Sequence, residues 1–376
     1  MTARLRGRAR VLALTLALVL ACCVLGACTG GDAAAASRRP PPGFVSADAG
    51  GFSVDGGRAP LVGINVYNAA SRGNCWYDMR TQLGPALDTI RRESGGAATV
   101  IRAWFFQSLA TRGGARDWTE LDRVLATARE RGVRVVPVLT DQWGACEGRE
   151  GASGSYKSLT WYEGGYTEPD PGGTVSYRAW VREVVSRYAR DPTVAMWSLV
   201  NEAEAGTARR GDCPPGAADA LEAFAHDVGG VVDEVDPDHL VGLGTVGTGQ
   251  CGTAGDAFRR LHDSPRIDVC EYHDYDREPL PGDAANGLTA QLRRCAGLGK
   301  PLFVGESGVR PDDVGGVEGR AEHYRRKLAA QVPAGIAGFL MWGWSPTGYV
   351  PDDDEYGIGP GDPSLPVLGE YPSARG

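Results

Sequence analysis

The sequence has little histidine and no paired cysteine motif. Only five of its 376 residues are histidine, and its nine cysteines never form a C-x-x-C pair. Zinc and related metal sites are typically built from such clusters, so we expect neither a metal site nor another cofactor. An excess of basic residues is also missing, because the formal net charge is −8. Nucleic-acid binding needs basic groups that neutralise phosphates, so nucleic acid is not an expected partner.

Long apolar runs are scarce too, and the one near the N-terminus, 11–20, is too short for a membrane-spanning helix. Four arginines precede it within the first ten residues, a pattern typical of export signals. The following Leu25-Gly26-Ala27-Cys28 resembles the bacterial lipobox, in which the cysteine receives a lipid. We therefore predict a signal peptide over 1–27 and lipidation of Cys28. The alternative is cleavage near Ala27 without a lipid.

Residues 28–43 are rich in Gly, Ala, Ser and Pro, which predicts a flexible linker. The expected protein is exported and either lipid-anchored on the outer face of the bacterial cell membrane or secreted, with membrane contact through the lipid only. No further linker interrupts 44–370, so we predict one folded domain there and a monomer.

Eight short apolar runs alternate with amphipathic helical segments across this domain. The runs lack polar alternation, as buried parallel strands do. This alternation predicts an α/β fold, a (β/α)8 TIM barrel, with a doubly wound open sheet as the alternative because alternation does not reveal closure. A hairpin over 44–57 is expected to cap the barrel bottom. The runs are 61–67, 99–105, 133–139, 194–199, 240–243, 268–272, 302–305 and 338–342.

Two glutamates stand where strand runs end: Glu202 after the fourth and Glu306 after the seventh. Active sites of TIM barrels lie at the C-terminal ends of the strands, so we expect both carboxylates on one face. Retaining glycosidases use two carboxyl groups about 5–5.5 Å apart. The pair therefore predicts a retaining glycosidase with Glu202 and Glu306 as its catalytic residues.

Further motifs occur in strand order: 52–56 with 62–67, Val100-Ile101-Arg102, Asn201-Glu202, 271–275, Gly305-Glu306-Ser307 and Trp342. Over residues 44–345 they resemble glycoside hydrolase clan A, in particular the family 5 cellulases and β-mannanases. The resemblance implies that Glu306 is the nucleophile, with its pKa held low by Arg102 and Tyr275. It also implies that Glu202 is the acid and base, with its pKa raised by the charge of Glu306.

The resemblance implies substrate contacts as well. Asn201 would bind the sugar 2-hydroxyl, His273 would line the site near Glu202, and Trp342 would form a stacking floor. The third strand ends in Thr140-Asp141-Gln142-Trp143, which with Asn65 looks more like β-mannanases than cellulases. We therefore add Trp143 and Asn65 to the predicted substrate-binding residues and expect hydrolysis of β-mannan, of the endo-1,4-β-mannosidase type. The full predicted substrate-binding set is Arg102, Asn201, His273, Tyr275, Trp342, Asn65 and Trp143.

Other functions remain possible on this scaffold. An endo-β-glucanase or an exo-β-glycosidase would use the same two glutamates. From a different class, a non-catalytic carbohydrate-binding lipoprotein would share the lipobox and the aromatic residues. It would not need carboxylates at two strand ends, nor Arg102 and Tyr275 beside one of them.

Six cysteines follow the signal region, and an even number in an exported chain indicates disulfides. In the predicted barrel, loops after neighbouring strands lie on one face, which favours the pairs Cys75–Cys146 and Cys213–Cys251. The last pair is then Cys270–Cys295, although a strand cysteine could instead point inward as a small apolar residue.

Overall fold

A computed structural model of the chain describes residues 40–371, apart from 149–153, 170–172, 208–211 and 352. The predicted signal peptide, Cys28 and most of the predicted linker lie outside the described residues. Within the described ranges, no helix is long and apolar enough to cross a membrane.

Strands appear at all eight predicted positions, together with five short additional strands. In chain order they are β1 (Val45–Asp48), β2 (Gly51–Val54), β3 (Gly57–Arg58), β4 (Leu61–Asn65), β5 (Val100–Trp104), β6 (Thr111–Arg112), β7 (Ala115–Arg116), β8 (Arg134–Val138), β9 (Met196–Ser198), β10 (Leu240–Gly242), β11 (Cys270–Asp274), β12 (Leu302–Ser307) and β13 (Gly338–Met341).

The eight predicted strands form one parallel sheet in the order β10-β9-β8-β5-β4-β13-β12-β11. A parallel bridge between Gly242 and Val269 joins its two outer strands. The sheet therefore closes on itself, which confirms the TIM barrel and excludes the open doubly wound sheet. Closure brings the C-terminal ends of all eight strands to one face.

Helices cover the outside of the barrel. They are α1 (Leu83–Glu93), α2 (Thr119–Glu130), α3 (Leu159–Glu163), α4 (Tyr177–Tyr188), α5 (Ala217–Val235), α6 (Asp256–His262), α7 (Leu288–Gly297) and α8 (Gly316–Ala334), with 3-10 turns at Gln107–Ala110, Gly165–Thr167, Pro311–Asp313 and Leu365–Glu370. Each of the longer helices buries an apolar stripe; in α2 these residues include Leu121, Val124 and Leu125. Gly132, just beyond α2, has a φ of 62°, a conformation that favours glycine.

The predicted cap is an antiparallel sheet of β1, β2 and β3. Val45 and Phe52 are each 1% exposed and pack with Leu61, Val100 and other apolar residues near the starts of the barrel strands. The cap therefore closes the end of the barrel opposite the strand ends, and leaves the other end open to a substrate.

Three disulfides occur among the described residues, and they are the three predicted pairs. Cys75–Cys146 joins the loops after β4 and β8, and Cys213–Cys251 joins the loops after β9 and β10. Cys270–Cys295 links β11 to α7. Each crosslink restricts the unfolded chain and contributes about 2–4 kcal/mol of stability. The first two also hold loops at the face where the barrel strands end.

Candidate active site

Glu202 and Glu306 meet at the C-terminal face of the barrel. One oxygen of each carboxylate and a ring nitrogen of His273 all lie within 4.8 Å of one another. Glu306 is in β12, whereas Glu202 follows β9 with a φ of 61°. A non-glycine residue in this left-handed region costs about 1–3 kcal/mol and persists only where the surroundings enforce it. Such strain is typical of active sites.

Glu306 is held by two donors from different strands. Arg102 Nη1 donates to Oε1 over 2.6 Å, and the Tyr275 hydroxyl donates to Oε2 over 2.7 Å. The carboxylate is only 2% exposed. Both of its oxygens are therefore oriented, and the ion pair with Arg102 compensates for its burial.

Arg102 and Asn65 lie behind the carboxylates and not in the cleft. Both are fully buried. Arg102 Nη2 donates to Asn201 Oδ1 over 2.8 Å, and Nη1 lies 3.2 Å from Asn65 Oδ1. The Asn65 amide donates to the carbonyls of Gly305 and Met341. Arg102 thus contacts Glu306, as the resemblance implies. Asn65, predicted as a substrate-binding residue, instead has its polar atoms engaged within the protein and holds Arg102.

Glu202 is the more accessible carboxylate, with its side chain 17% exposed. Trp143 Nε1 donates to Oε2 over 2.6 Å, and His273 Nδ1 lies 3.0 Å from Oε1. The structure thus brings Trp143 and His273, both predicted as substrate-binding, into direct contact with Glu202. Each also borders the space between the two glutamates.

The pKa values of the two glutamates follow the reverse of the predicted order. Burial raises the pKa of Glu306 above its ordinary value, although the charges of His273 and Arg102 oppose it. Burial would raise the pKa of Glu202 as well, but hydrogen bonds from His273 and Trp143 outweigh it, and the pKa is lowered. The prediction was wrong because it left out the burial of Glu306, which raises its pKa, and the contact of Glu202 with His273, which lowers the pKa of Glu202.

An aromatic cavity of about 300 Å³ lies on the same face of the barrel. Tyr356 in its lining contacts the ring of Tyr275, the residue that donates to Glu306. Trp342, as predicted from the eighth strand, lies on its wall and stacks on Tyr67 with ring centroids 5.0 Å apart. Trp104 and Trp76 also line it, and Trp76 is 62% exposed. Asp354 is among the acidic residues of the same wall. Flat aromatic faces with nearby acceptors suit the apolar faces and hydroxyl groups of sugars.

Sequence reasoning assigned no role to two buried acids at this site. Asp141 accepts from Asn201 Nδ2 over 2.8 Å, and burial raises its pKa to about 7. Glu271 is fully buried and contacts Arg102 and His273. Their only sequence signal is an acidic residue within or just after an apolar strand run, where a carboxylate needs a partner.

Known proteins with similar sequences include fungal mannan endo-1,4-β-mannosidases. Enzyme F of Aspergillus fumigatus is 23% identical over an alignment that covers 84% of this chain and 74% of that protein. Enzyme A of Hypocrea jecorina is 24% identical, covering 88% and 77% of the two chains. No family model matches the sequence.

Solved structures with the same fold include an endo-1,4-β-mannanase from Rhizomucor miehei. Its TM-score is 0.65 at 15% identity, with 88% of this chain and 99% of that chain covered. A glycoside hydrolase family 5 mannosidase from the same organism has a TM-score of 0.61 at 17% identity, covering 89% and 97%. The predicted resemblance to family 5 glycosidases is confirmed, and the fold is theirs.

Proposed function

We propose that this protein is an exported retaining glycoside hydrolase that cleaves β-1,4-linked mannan. The observation that carries the proposal is the pair of carboxylates, Glu202 and Glu306, with oxygens no more than 4.8 Å apart at the barrel's open face. This spacing suits double displacement, because an inverting enzyme needs a wider gap that admits a water molecule.

In the first step Glu306 attacks the anomeric carbon, and the bond to the leaving oxygen breaks as that oxygen takes a proton from Glu202. Arg102 and Tyr275 orient the attacking carboxylate. In the second step a water molecule attacks the anomeric carbon of the glycosyl-enzyme and gives a proton to Glu202. The bond between the sugar and Glu306 breaks, and the carboxylate of Glu306 is regenerated. Asn201 is held by Arg102 and Asp141 and would donate its second amide proton to the sugar 2-hydroxyl.

The substrate assignment rests on the relatives and on the cavity. The similar enzymes act on mannan by name. Trp342 would form the floor under the reacting sugar, and Trp76 a platform for the next one. Trp104, which is 4% exposed, lies in the wall of the same cavity.

Hydrolysis of manno-oligosaccharides should release the β-anomer first. In proton NMR of a fresh reaction, the β-mannose signal should rise before mutarotation supplies the α-anomer. Cello-oligosaccharides of the same length serve as the matched substrate control and should react more slowly. First-formed α-anomer would refute double displacement, and faster hydrolysis of cello-oligosaccharides would favour the endo-β-glucanase alternative.

We also propose that residues 1–27 are a signal peptide, that 28–43 tether the domain and that 44–370 form the catalytic domain. The lipobox-like Leu25-Gly26-Ala27-Cys28 supports a lipid on Cys28 and an anchor on the outer face of the cell membrane. The three disulfides fit an oxidising compartment outside the cytoplasm.

Labelled palmitate supplied to expressing bacteria should enter the wild-type protein and sediment with its membranes. A Cys28→Ser variant should lose the label, because serine has no thiol for the lipid, while Cys23→Ser, which changes a cysteine outside the lipobox position, should keep it. Label on Cys28→Ser, or wild-type protein found wholly in the medium, would contradict the anchor.

A further inference from the structure

Glu271 in β11 is a fully buried carboxylate to which the reaction above assigns no part. Its Oε1 lies 3.2 Å from Arg102 Nε and 3.3 Å from His273 Nε2, and its Oε2 accepts a hydrogen bond from Ser198 Oγ over 3.2 Å. The neighbouring strand has a glycine, Gly305, where Glu271 approaches it, and a Cβ at that position would lie 2.2 Å from Oε1. A carboxylate so deeply buried needs partners of opposite charge and hydrogen-bond donors to offset its loss of hydration.

The ring of His273 lies between carboxylates on both sides. Nε2 faces Glu271, while Nδ1 lies 3.0 Å from Glu202 Oε1 and 3.5 Å from Glu306 Oε2. An ionised carboxylate only accepts hydrogen bonds. With the Nε2 proton directed at Glu271, the contact between Nδ1 and Glu202 needs one further proton. That proton is on His273 or on Glu202, and both arrangements contain the same number of protons.

We propose that Glu271 is a positioning residue that retains this proton, so that Glu271, His273 and Glu202 together supply the general acid. The proposal rests on the proposed function. During glycosidic cleavage the proton moves from His273 Nδ1 to Glu202 and from Glu202 to the leaving oxygen, which receives the electron pair of the broken bond. The imidazole is then neutral, and its Nε2–H still donates a hydrogen bond to the Glu271 carboxylate. In the second step the proton from water returns by the same route.

The groups around His273 agree with this arrangement. Burial and the charge of Arg102 from β5 lower its pKa, whereas the charge of Glu306 from β12 and the hydrogen bonds to Glu202 and Glu271 raise it to about 9. Activity should therefore persist at alkaline pH, until the His273–Glu202 pair loses its proton. By contrast, a glutamic acid that titrated alone with the lowered pKa of Glu202 would lose its proton already at acidic pH.

Replacing Glu271 by glutamine keeps the shape of the side chain and removes its charge. We would measure the pH profile of kcat/KM for an aryl β-mannoside with a poor leaving group. The pKa of its basic limb should fall by about 1–3 units, the range for loss of a neighbouring opposite charge. Ser198→Ala is the matched control, because it deletes a hydrogen bond to Glu271 and keeps the charge. The pKa of the basic limb should be the same in this variant as in the wild type. An equal loss of activity at every pH would overturn the proposal and leave Glu271 a structural role only.

A titration of the His273 ring by heteronuclear NMR measures the pKa for loss of the same proton in the absence of substrate. The ring should titrate near pH 9 in the wild type and at lower pH in Glu271→Gln, with the signal assigned from His273→Gln. Unchanged titration would overturn the proposal even if activity falls. If the wild type cleaves no β-mannoside, the proposed function has failed, while the ring titration still decides whether Glu271 retains the proton.

Discussion

Replacing Glu306 with glutamine should reduce kcat by on the order of 10⁴- to 10⁶-fold, as loss of the nucleophile does in other hydrolases. The amide keeps the size of the side chain, so the neighbouring Arg102 and Tyr275 stay in place, but it does not attack the anomeric carbon. The loss should be the same for activated aryl β-mannosides, because a better leaving group does not replace a nucleophile. Initial rates with 2,4-dinitrophenyl β-mannoside would measure it.

Glu278→Gln provides the control for Glu306→Gln, since this exposed glutamate undergoes the same chemical change outside the site. The control should retain wild-type rates, and both variants should unfold at similar temperatures. Residual turnover by Glu306→Gln above about one per cent of wild type would assign the nucleophile elsewhere, because covalent catalysis contributes far more than that factor.

The effect of replacing Glu202 with alanine should depend on the leaving group. Proton donation contributes about 10²- to 10⁴-fold when the departing oxygen is strongly basic, and little when it is acidic. Natural oligosaccharides should therefore show the full loss in kcat/KM, and the dinitrophenyl β-mannoside only a small one. A plot of log kcat/KM against leaving-group pKa should be steeper for the variant than for the wild type.

Azide separates the two roles of Glu202. With the dinitrophenyl substrate the variant should accumulate glycosyl-enzyme, because water then lacks a general base. Azide needs none, so it should restore turnover and yield the β-mannosyl azide. Glu163→Ala, an exposed position in α3, is the control and should not respond to azide. Equal losses for all leaving groups would contradict the assignment of Glu202 as the acid and base.

The location of the candidate site was predictable because a parallel barrel is a repetitive structure. Glu202 and Glu306 each follow an apolar run, and the ends of all such runs meet on one face. The same rule led to the loop pairs Cys75–Cys146 and Cys213–Cys251, which the structure contains. The position of a residue relative to the strand runs therefore predicted the face of the barrel on which it lies.

The orientation of individual side chains was not predictable in this way. Asn65 and Arg102 stand at strand ends, like a substrate-binding residue would, yet both point into the barrel and engage buried partners. Whether a side chain at a strand end faces the cleft or the interior depends on the local twist and on what the opposite strands offer it. Neither is visible in a single strand's sequence.

The sequence by itself determined the alternation of eight strands with helices, the two glutamates at strand ends and the cysteines able to pair, because these depend on periodicity and on strand order; closure of the sheet into a barrel is seen only in the tertiary structure. Only the tertiary structure decided in which direction the pKa of each carboxylate shifts and which groups face His273. Those properties depend on burial and on charges a few ångströms apart, such as Arg102 and Glu306, which are separated by 204 residues in the chain. Glu271 acquires its significance in the same way, from Arg102 and His273, which folding places beside it.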